Sequence, residues 1–208
     1  MTNGTNALPP GSSTGDPEAL LNASIFFDFR PLYGDVTLAD KLRSWLAAYA
    51  AEHNRFLLLM AQNALQNQPP LGVLRDFILT GGGDDYPHTL DLKVNGITPF
   101  VDAARIYALA AGVTATNTLE RLQEAGARLR FASADVDAWA QAFQYIQNLR
   151  LRHQALRLAA GQTPNNHLDP DSLNELDRRI LKEALRQARN LQGRLGRDFG
   201  GAGVGFGA

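Results

Sequence analysis

The stretch Thr98-Pro-Phe-Val-Asp-Ala-Ala-Arg-Ile-Tyr-Ala-Leu-Ala-Ala-Gly112 predicts a helix near the middle of this 208-residue chain. A threonine that can cap the helix precedes a proline, which suits the first turn because an N–H there has no intrahelical partner. The run ends at Gly112, and glycine is the residue type that most often follows a helix C-terminus. We therefore expect a helix from Pro99 to Ala111.

Apolar residues recur at helical spacing on both sides of this stretch. Asn117 and Glu120 have the spacing of a capping box, and Asp169-Pro170 has the pattern of a helix start. We expect further helices over residues 37–66, 117–128 and 133–160, and a last one that begins at Asp169. The predicted fold class is mainly α, an antiparallel helical bundle.

Two segments depart from the helical pattern. Residues 89–94 alternate between apolar and polar side chains and precede Asn95-Gly96, a dipeptide typical of tight turns. We expect a short hairpin or extended loop around residues 80–97. The aromatic segment Ser24–Arg30 is compatible with either an extended strand or a buried turn of helix.

The two ends of the chain have little to bury. Residues 1–15 are rich in Gly, Pro, Ser, Thr and Asn, and residues 199–208 are rich in glycine. We expect a disordered leader over 1–15, one helical domain over 16–198 and a flexible tail over 199–208.

The composition excludes several classes of function. The chain has no cysteine, so disulfides, cysteine-bound metals and thiol nucleophiles are excluded. Twenty basic residues against 21 acidic ones give a net charge of -1, which argues against nucleic-acid and membrane partners. No apolar stretch is long enough to cross a membrane, and no secretory leader is recognised, so we expect a cytoplasmic protein.

Candidate binding residues are the charges that stand among apolar neighbours. Asp28 and Arg30 alternate with phenylalanines, and they form either a structural bridge or a ligand contact. Asp91 and Lys93 alternate with Leu90, Leu92 and Val94, and lie either at a cleft or at a solvated edge. Two further cations, Arg105 and Arg121, would join Lys93 on an anionic ligand or brace acidic neighbours instead.

Two other polar runs have a simpler explanation. Gly81-Gly-Gly-Asp-Asp85 could hold Mg²⁺ through its aspartates, but paired aspartates between helices usually solvate a turn. The polar residues Arg150, His153, Gln154 and Arg157 are expected to form a solvated helix face. The four histidines show no metal-ligand spacing, so no metal site is predicted.

Several motifs occur in the order that one family shows. They are Phe26-Phe-Asp-Phe-Arg30, Gly34-Asp35, Asp91-Leu-Lys93, Pro99 with Asp102-Ala-Ala-Arg105, Asn117-Thr118 with Glu120-Arg-Leu122, Leu149-Arg-Leu-Arg-His-Gln154 and Leu181-Lys-Glu-Ala184. Over residues 17–197 the sequence resembles the putative nucleotidyltransferase substrate-binding domain, the C-terminal helical module of bacterial signal-transduction proteins. There the module follows cyclic-nucleotide-binding or CBS-type domains and a catalytic domain similar to the N-terminal part of protein-PII uridylyltransferase.

The resemblance implies a binding role and not catalysis. The catalytic motif of that family, a Gly-Ser pair followed by metal-binding aspartates, has no match here, so we expect a separated piece or a stand-alone copy. Mg²⁺ and a nucleotide are then expected only with a separate catalytic domain. The implied function is a non-catalytic substrate-binding or regulatory module whose site is formed by Asp28, Arg30, Asp91, Lys93, Arg105 and Arg121.

One alternative of a different class stays open at this point. The dense apolar helix faces would also suit a structural module that mediates dimerisation or docking and has no small-molecule site. The expected partner is a nucleotidyltransferase catalytic domain or chain, and a homodimer is left open.

Overall fold

The computed structural model describes residues 26–72, 77–82 and 86–200 and shows a mainly α fold, as predicted. Its α-helices are α1 Val36–Glu52, α2 Asn54–Ala64, α3 Thr98–Ala110, α4 Thr118–Arg128, α5 Ser133–Ala159 and α6 Glu175–Gly200. The predicted leader, Ser24, Asp84, Asp85 and the end of the predicted tail lie outside the described residues. The predicted helices at 99–111, 117–128 and 133–160 are confirmed to within a residue or two.

The single helix predicted over residues 37–66 is wrong, because the chain breaks at His53 between α1 and α2. The His53 ring nitrogen Nδ1 lies 2.6 Å from the Tyr49 carbonyl oxygen, the acceptor that the His53 N–H would use in a continuous helix. That N–H turns to the Ala50 oxygen instead, at 3.1 Å. A side chain that competes for a backbone acceptor thus ends the helix.

The start predicted for the last helix is also wrong. Asp169 caps only a short 3₁₀ turn, Pro170–Ser172, by accepting the Asp171 N–H at 2.9 Å. The helix α6 begins at Glu175, where the Asn174 side chain accepts the Asp177 N–H at 2.8 Å. At its other end α6 continues to Gly200 and buries Phe199, two residues into the segment that the sequence assigns to the tail.

Helix α3 lies at the centre of the core. It packs against α1, α2, α4 and α6, and Phe100, Ala103, Ala104 and Tyr107 are almost completely buried on it. The Tyr107 ring meets Phe131 edge-on, and its hydroxyl donates to Asp198 Oδ2 at 2.9 Å, which ties α3 to α6. A helix covered on so many sides fixes where its few polar side chains can emerge.

The non-helical excursion contains strands β1 Thr80–Gly82 and β2 Tyr86–Asp91, and β2 also pairs with β3 His167–Leu168. Both pairings are antiparallel, so the predicted hairpin is present. The tight turn predicted at Asn95-Gly96 is wrong, since Leu92–Ile97 form one π-helical turn that leads directly into α3. Asp91 starts this turn by accepting the N–H groups of Lys93 and Val94.

The polar side of α5 is not the solvated face that the sequence suggests. Its residues bind the loop before β3: Arg150 Nε donates to Asn166 Oδ1 at 2.6 Å, and Gln154 donates to the same oxygen at 3.0 Å. Arg157 Nε donates to the Thr163 carbonyl at 2.9 Å. These bonds hold the loop and, through β3, the excursion against α5.

Two glycines allow close approaches between elements. A Cβ atom added to Gly96 would lie 2.9 Å from Ile146 Cγ2, and one added to Gly126 would lie 2.7 Å from Val136 Cγ2. Real Cβ atoms essentially never approach so closely, so the π-helical turn and α4 both depend on glycine to reach α5.

We predict that Gly126→Ala lowers the free energy of unfolding by about 1–3 kcal/mol, because the added methyl group overpacks the contact between α4 and α5. Gly193→Ala is the control, since a Cβ there meets only the Arg197 guanidinium at 3.7 Å. In that exposed helix position, alanine should be neutral or stabilise by up to about 1 kcal/mol. Urea unfolding measures both, and equal stability of the two variants would contradict the packing argument.

The two tyrosines on α3 and α5 are expected to ionise late. Burial raises the pKa of Tyr107, and burial together with Asp177 raises the pKa of Tyr145 to about 12. Because the folded state holds these protons more tightly, the stabilisation by Tyr145 is complete below pH 10 and is lost as the pH approaches 12. In an alkaline titration followed by ultraviolet absorbance, Tyr145→Phe should remove part of the late phase. An unchanged late phase in Tyr145→Phe would contradict the raised pKa of this hydroxyl.

Candidate functional site

The carboxylate of Asp28 lies between two arginines from different helices. Its Oδ2 accepts a hydrogen bond from Arg105 Nη2 of α3 at 2.6 Å, and its Oδ1 lies 2.6 Å from Arg121 Nη2 of α4. The second contact is an ion pair whose angle is not that of a hydrogen bond, so Oδ1 keeps acceptor capacity. The structure thus brings together three of the predicted site residues.

Arg121 is the most deeply buried charge of this cluster, with 4% of its side chain exposed. Its Nε donates to the Ala115 carbonyl at 2.7 Å and its Nη2 donates to the Phe27 carbonyl at 3.1 Å. Burial lowers the pKa of the Arg121 guanidinium below its ordinary value, and Asp28 acts in the opposite direction. A guanidinium stays charged even so, and therefore depends on the Asp28 carboxylate.

Arg105 serves two carboxylates at once. Besides Asp28 it donates from Nη1 to Asp102 Oδ1 at 3.3 Å, one turn earlier on α3. Burial raises the pKa of Asp102, while the Arg105 charge lowers it. The sequence left two alternatives for Asp28, a structural ion pair or a ligand contact. The structure shows the ion pair, and its partners are Arg105 and Arg121.

The segment that carries Asp28 is anchored by aromatic side chains. Phe26–Asp28 form a single 3₁₀ turn, and the Phe27 ring packs 5.7 Å from the Phe56 ring of α2. The Phe29 ring lies 5.4 Å from the guanidinium carbon of Arg43, a cation–π distance. Because aromatic and charged residues alternate, Phe27 and Phe29 pack against side chains of α2 and α1, while the Asp28 carboxylate pairs with the two arginines.

A narrow cleft opens beside this cluster, between the aromatic segment, α1 and the end of α3. About 280 Å³ of space lies between its walls and over its open mouth, but only about 10 Å³ of this is open to the centre of a water-sized group. Its walls are Phe27, Phe29, Arg43, Leu46, Ala47, Ala108, Leu109, Val113, Thr114, Ala115 and Arg121. Two arginines therefore line an otherwise largely apolar cleft.

Arg43 is the site residue that the sequence reasoning missed. It donates to Asp40 Oδ1 at 3.1 Å and to the Phe29 carbonyl at 3.3 Å, while its buried Nε has no hydrogen-bond partner among the described residues. The available clue was its position on the helix that follows the aromatic motif, but which side of α1 would face that motif is a property of the fold.

The other predicted site residues lie elsewhere. Asp91 is occupied as the cap of the π-helical turn, and its Oδ2 lies 4.0 Å from His167 Nε2. Lys93 and Arg30 are exposed. No ion pair or hydrogen bond joins Asp91, Lys93 or Arg30 to Asp28, Arg105 or Arg121, so these six described residues do not form one cluster.

Residues 26–72, 77–82 and 86–200 contain neither a cluster of metal ligands nor a helix that could span a membrane. No group of three or more His, Asp and Glu side chains in these ranges could hold a metal ion. None of the helices described there has the length and hydropathy of a membrane span.

Comparison with known proteins gives one match. The model of the family described as "Putative nucleotidyltransferase substrate binding domain" matches residues 54–199. No curated protein and no solved structure matches the chain. Arg105 and Arg121 lie inside the matched range, whereas Asp28, Arg43 and all of α1 precede it.

We predict that Asp28→Asn lowers the free energy of unfolding by about 2–3 kcal/mol, because it removes the carboxylate paired with the buried Arg121 and leaves Arg105 with Asp102 alone. This is below the full cost of breaking a buried pair, since 36% of the Asp28 side chain is exposed. The control is Glu175→Gln, which removes an exposed ion pair with Arg179 and should cost less than about 0.5 kcal/mol. Chemical denaturation distinguishes the two, and a neutral Asp28→Asn would contradict the role assigned to the carboxylate.

Proposed function

Because the chain belongs to the family described as "Putative nucleotidyltransferase substrate binding domain", we propose that it binds an anionic substrate group for a nucleotidyltransferase active site. Another domain or chain supplies that active site, together with any Mg²⁺ and nucleotide that the transfer step uses. The module itself is non-catalytic and contributes binding and orientation. This family membership and the two-arginine cleft support the proposal.

The observation that carries the proposed site is the incomplete bonding of Arg43. A buried guanidinium N–H without an acceptor costs free energy, and an anionic ligand in the cleft would supply the acceptor. Arg121 stands on the same cleft wall and already holds one carboxylate. Charge-assisted bonds from two arginines are the usual means of holding a phosphate or carboxylate group.

The size of the cleft restricts what enters it. The interior of the cleft has room for about one water-sized group, since the volume open to the centre of such a group is about 10 Å³. A phosphate or carboxylate group therefore binds at the mouth of the cleft and places at most one oxygen inside, while the rest of the substrate extends toward the catalytic domain. Phe27 and Phe29 supply apolar walls beside the bound group.

Within this proposal Asp28 and Arg105 are positioning residues. The Asp28 carboxylate pairs with Arg121 through Oδ1 and with Arg105 through Oδ2, so the two residues fix the position of the Arg121 guanidinium. Arg30, Asp91 and Lys93 have no part in the cleft. Arg30 and Lys93 are exposed and are available for contacts with the catalytic partner, whereas Asp91 caps the π-helical turn.

The proposed setting follows the resemblance of the sequence. The module works in a cytoplasmic signal-transduction protein of bacterial type, where it presents the substrate or regulates its access to the catalytic domain. The near-neutral charge of the chain supports a small-molecule or protein partner over nucleic acid.

We predict that Arg43→Gln weakens the binding of inorganic phosphate, or of ATP with Mg²⁺, by about tenfold or more, the effect of losing one charge-assisted hydrogen bond. Isothermal titration calorimetry on the full chain measures the dissociation constants. Arg30→Gln is the matched control, because Arg30 is an exposed arginine outside the cleft and should bind as the wild type does.

The outcomes separate the alternatives. Binding that is lost in Arg30→Gln or Lys93→Gln but kept in Arg43→Gln would move the site to the exposed cations. A wild-type chain that binds neither probe would contradict the proposal and leave the Asp28 cluster with a purely structural role.

A further inference from the structure

Helix α1 exposes a stripe of large apolar side chains. Leu38, Leu42, Trp45 and Tyr49 are 67%, 48%, 57% and 50% exposed, respectively. Their spacing of four, three and four residues places them on one side of the helix. The opposite part of the apolar face, with Ala47 and Ala50, is buried against the core. Such a continuous apolar stripe is unusual on an isolated monomer surface and marks a contact site.

The same spacing is that of alternating d and a positions in a coiled coil. A seam of this kind is completed by a second helix with the same spacing. We infer that α1 pairs with α1 of a second copy of this chain in antiparallel orientation. Because this contact lies on the outer side of α1, it is independent of the anion site proposed above.

The antiparallel orientation follows from the order of side chains along the stripe. A two-fold axis between Leu42 and Trp45 places Leu38 opposite Tyr49 of the other copy and Leu42 opposite its Trp45. Every layer then joins one aliphatic to one aromatic side chain, which keeps the distance between the helices even. In a parallel pair, two tryptophans would meet in one layer and two leucines in the next, so the layers would differ in width.

The flanks of the stripe also suit a close helix contact. Ala39 lies on one flank and Ala48 on the other, and small side chains at these positions let two helices approach. Glu52 and Lys41 are the charged residues nearest to the seam, with Glu52 at its C-terminal end, and both are exposed, so their side chains can reach solvent at the edge.

The area is sufficient for a specific contact. The exposed parts of the four side chains amount to on the order of 500 Å² per copy, since a whole aromatic side chain offers 150–250 Å². Two copies would therefore bury roughly 1,000 Å² before the flanking residues are added, which reaches the lower limit of specific interfaces. Leu32 and Tyr33, which precede α1, are also almost fully exposed.

The aromatic side chains of the stripe are held in place by one another. The Trp45 and Tyr49 rings stack with centroids 5.2 Å apart, and the Tyr49 and His53 rings stack at 3.8 Å. Side chains already ordered in the monomer lose less conformational entropy on association. The stacked rings thus lower the entropic cost of dimerisation relative to a stripe of flexible apolar side chains.

The first experiment measures the oligomeric state of the full chain by sedimentation velocity over a range of micromolar concentrations. We expect a dimer for the wild type and a monomer for Leu42→Lys, which places two charges in the seam. The control is Leu156→Lys, because Leu156 is a more exposed leucine, at 65% against 48% for Leu42, and lies on α5 outside the stripe, so its replacement should leave the dimer intact. Circular dichroism confirms that each variant is folded.

The second experiment tests the orientation. The chain contains no cysteine, so a disulfide can form only at introduced positions. A mixture of Leu38→Cys and Tyr49→Cys chains, one of them tagged, should form the mixed disulfide on mild oxidation. Neither variant alone should cross-link efficiently, because residues 38 of the two copies would lie about 16 Å apart along the helices at 1.5 Å per residue.

Three results would overturn the inference. A wild type that stays monomeric throughout the concentration range would assign the stripe to another occupant, such as the residues before Phe26 or a catalytic partner. A dimer that persists in Leu42→Lys would place the interface elsewhere. Efficient cross-linking of Leu38→Cys chains with each other would indicate a parallel pair.

Discussion

Helix α3 is so completely covered that its charged side chains can emerge on only one side. Asp102 and Arg105 are separated by one turn on that side, while the rest of the helix is packed against α1, α2, α4 and α6. A charged pair at the edge of a core needs a counter-charge close by, and the segment that carries Asp28 provides it. The burial of one helix therefore decides where the N-terminal segment docks and where the cleft forms.

Local sequence patterns predicted most of the helices because capping is a local event. Asn117 accepts the N–H groups of Leu119 and Glu120, and α4 begins there as predicted. Helix α3 also begins at Thr98-Pro99, but Thr98 is not its cap: its hydroxyl donates to the Lys93 carbonyl at 3.0 Å, and the helix continues from the π-helical turn. The break at His53 and the π-helical turn at Leu92–Ile97 were missed for a physical reason. The break depends on the His53 ring nitrogen, which competes with the backbone N–H for the Tyr49 carbonyl. The π-helical turn depends on the close fit of Gly96 against Ile146.

The candidate site was only partly predictable from the sequence. Charges among phenylalanines predicted that Asp28 is paired or faces a ligand, and Arg105 and Arg121 do pair with it. Lys93 and Asp91 had equally suggestive neighbours, but Asp91 is used to cap a backbone turn. Arg43 was missed because its role depends on which side of α1 faces the aromatic segment.

The same helix supplies Arg43 to the cleft and an apolar stripe to the outside, and it lies wholly before the residues that match the family. The proposed cleft and the proposed dimer contact therefore both include residues that precede the family match.

The ion pairs of Asp28 join distant parts of the chain, and this affects how the protein is made. Arg105 follows Asp28 by 77 residues, and Arg121 follows Phe27, whose carbonyl it binds, by 94 residues. A ribosome that adds about 5–20 residues per second takes roughly 5–20 seconds to cover the longer of these distances. Phe27 and Phe29 therefore leave the ribosome well before the arginines that anchor their segment, and during synthesis they form an uncovered aromatic patch on which a chaperone can act.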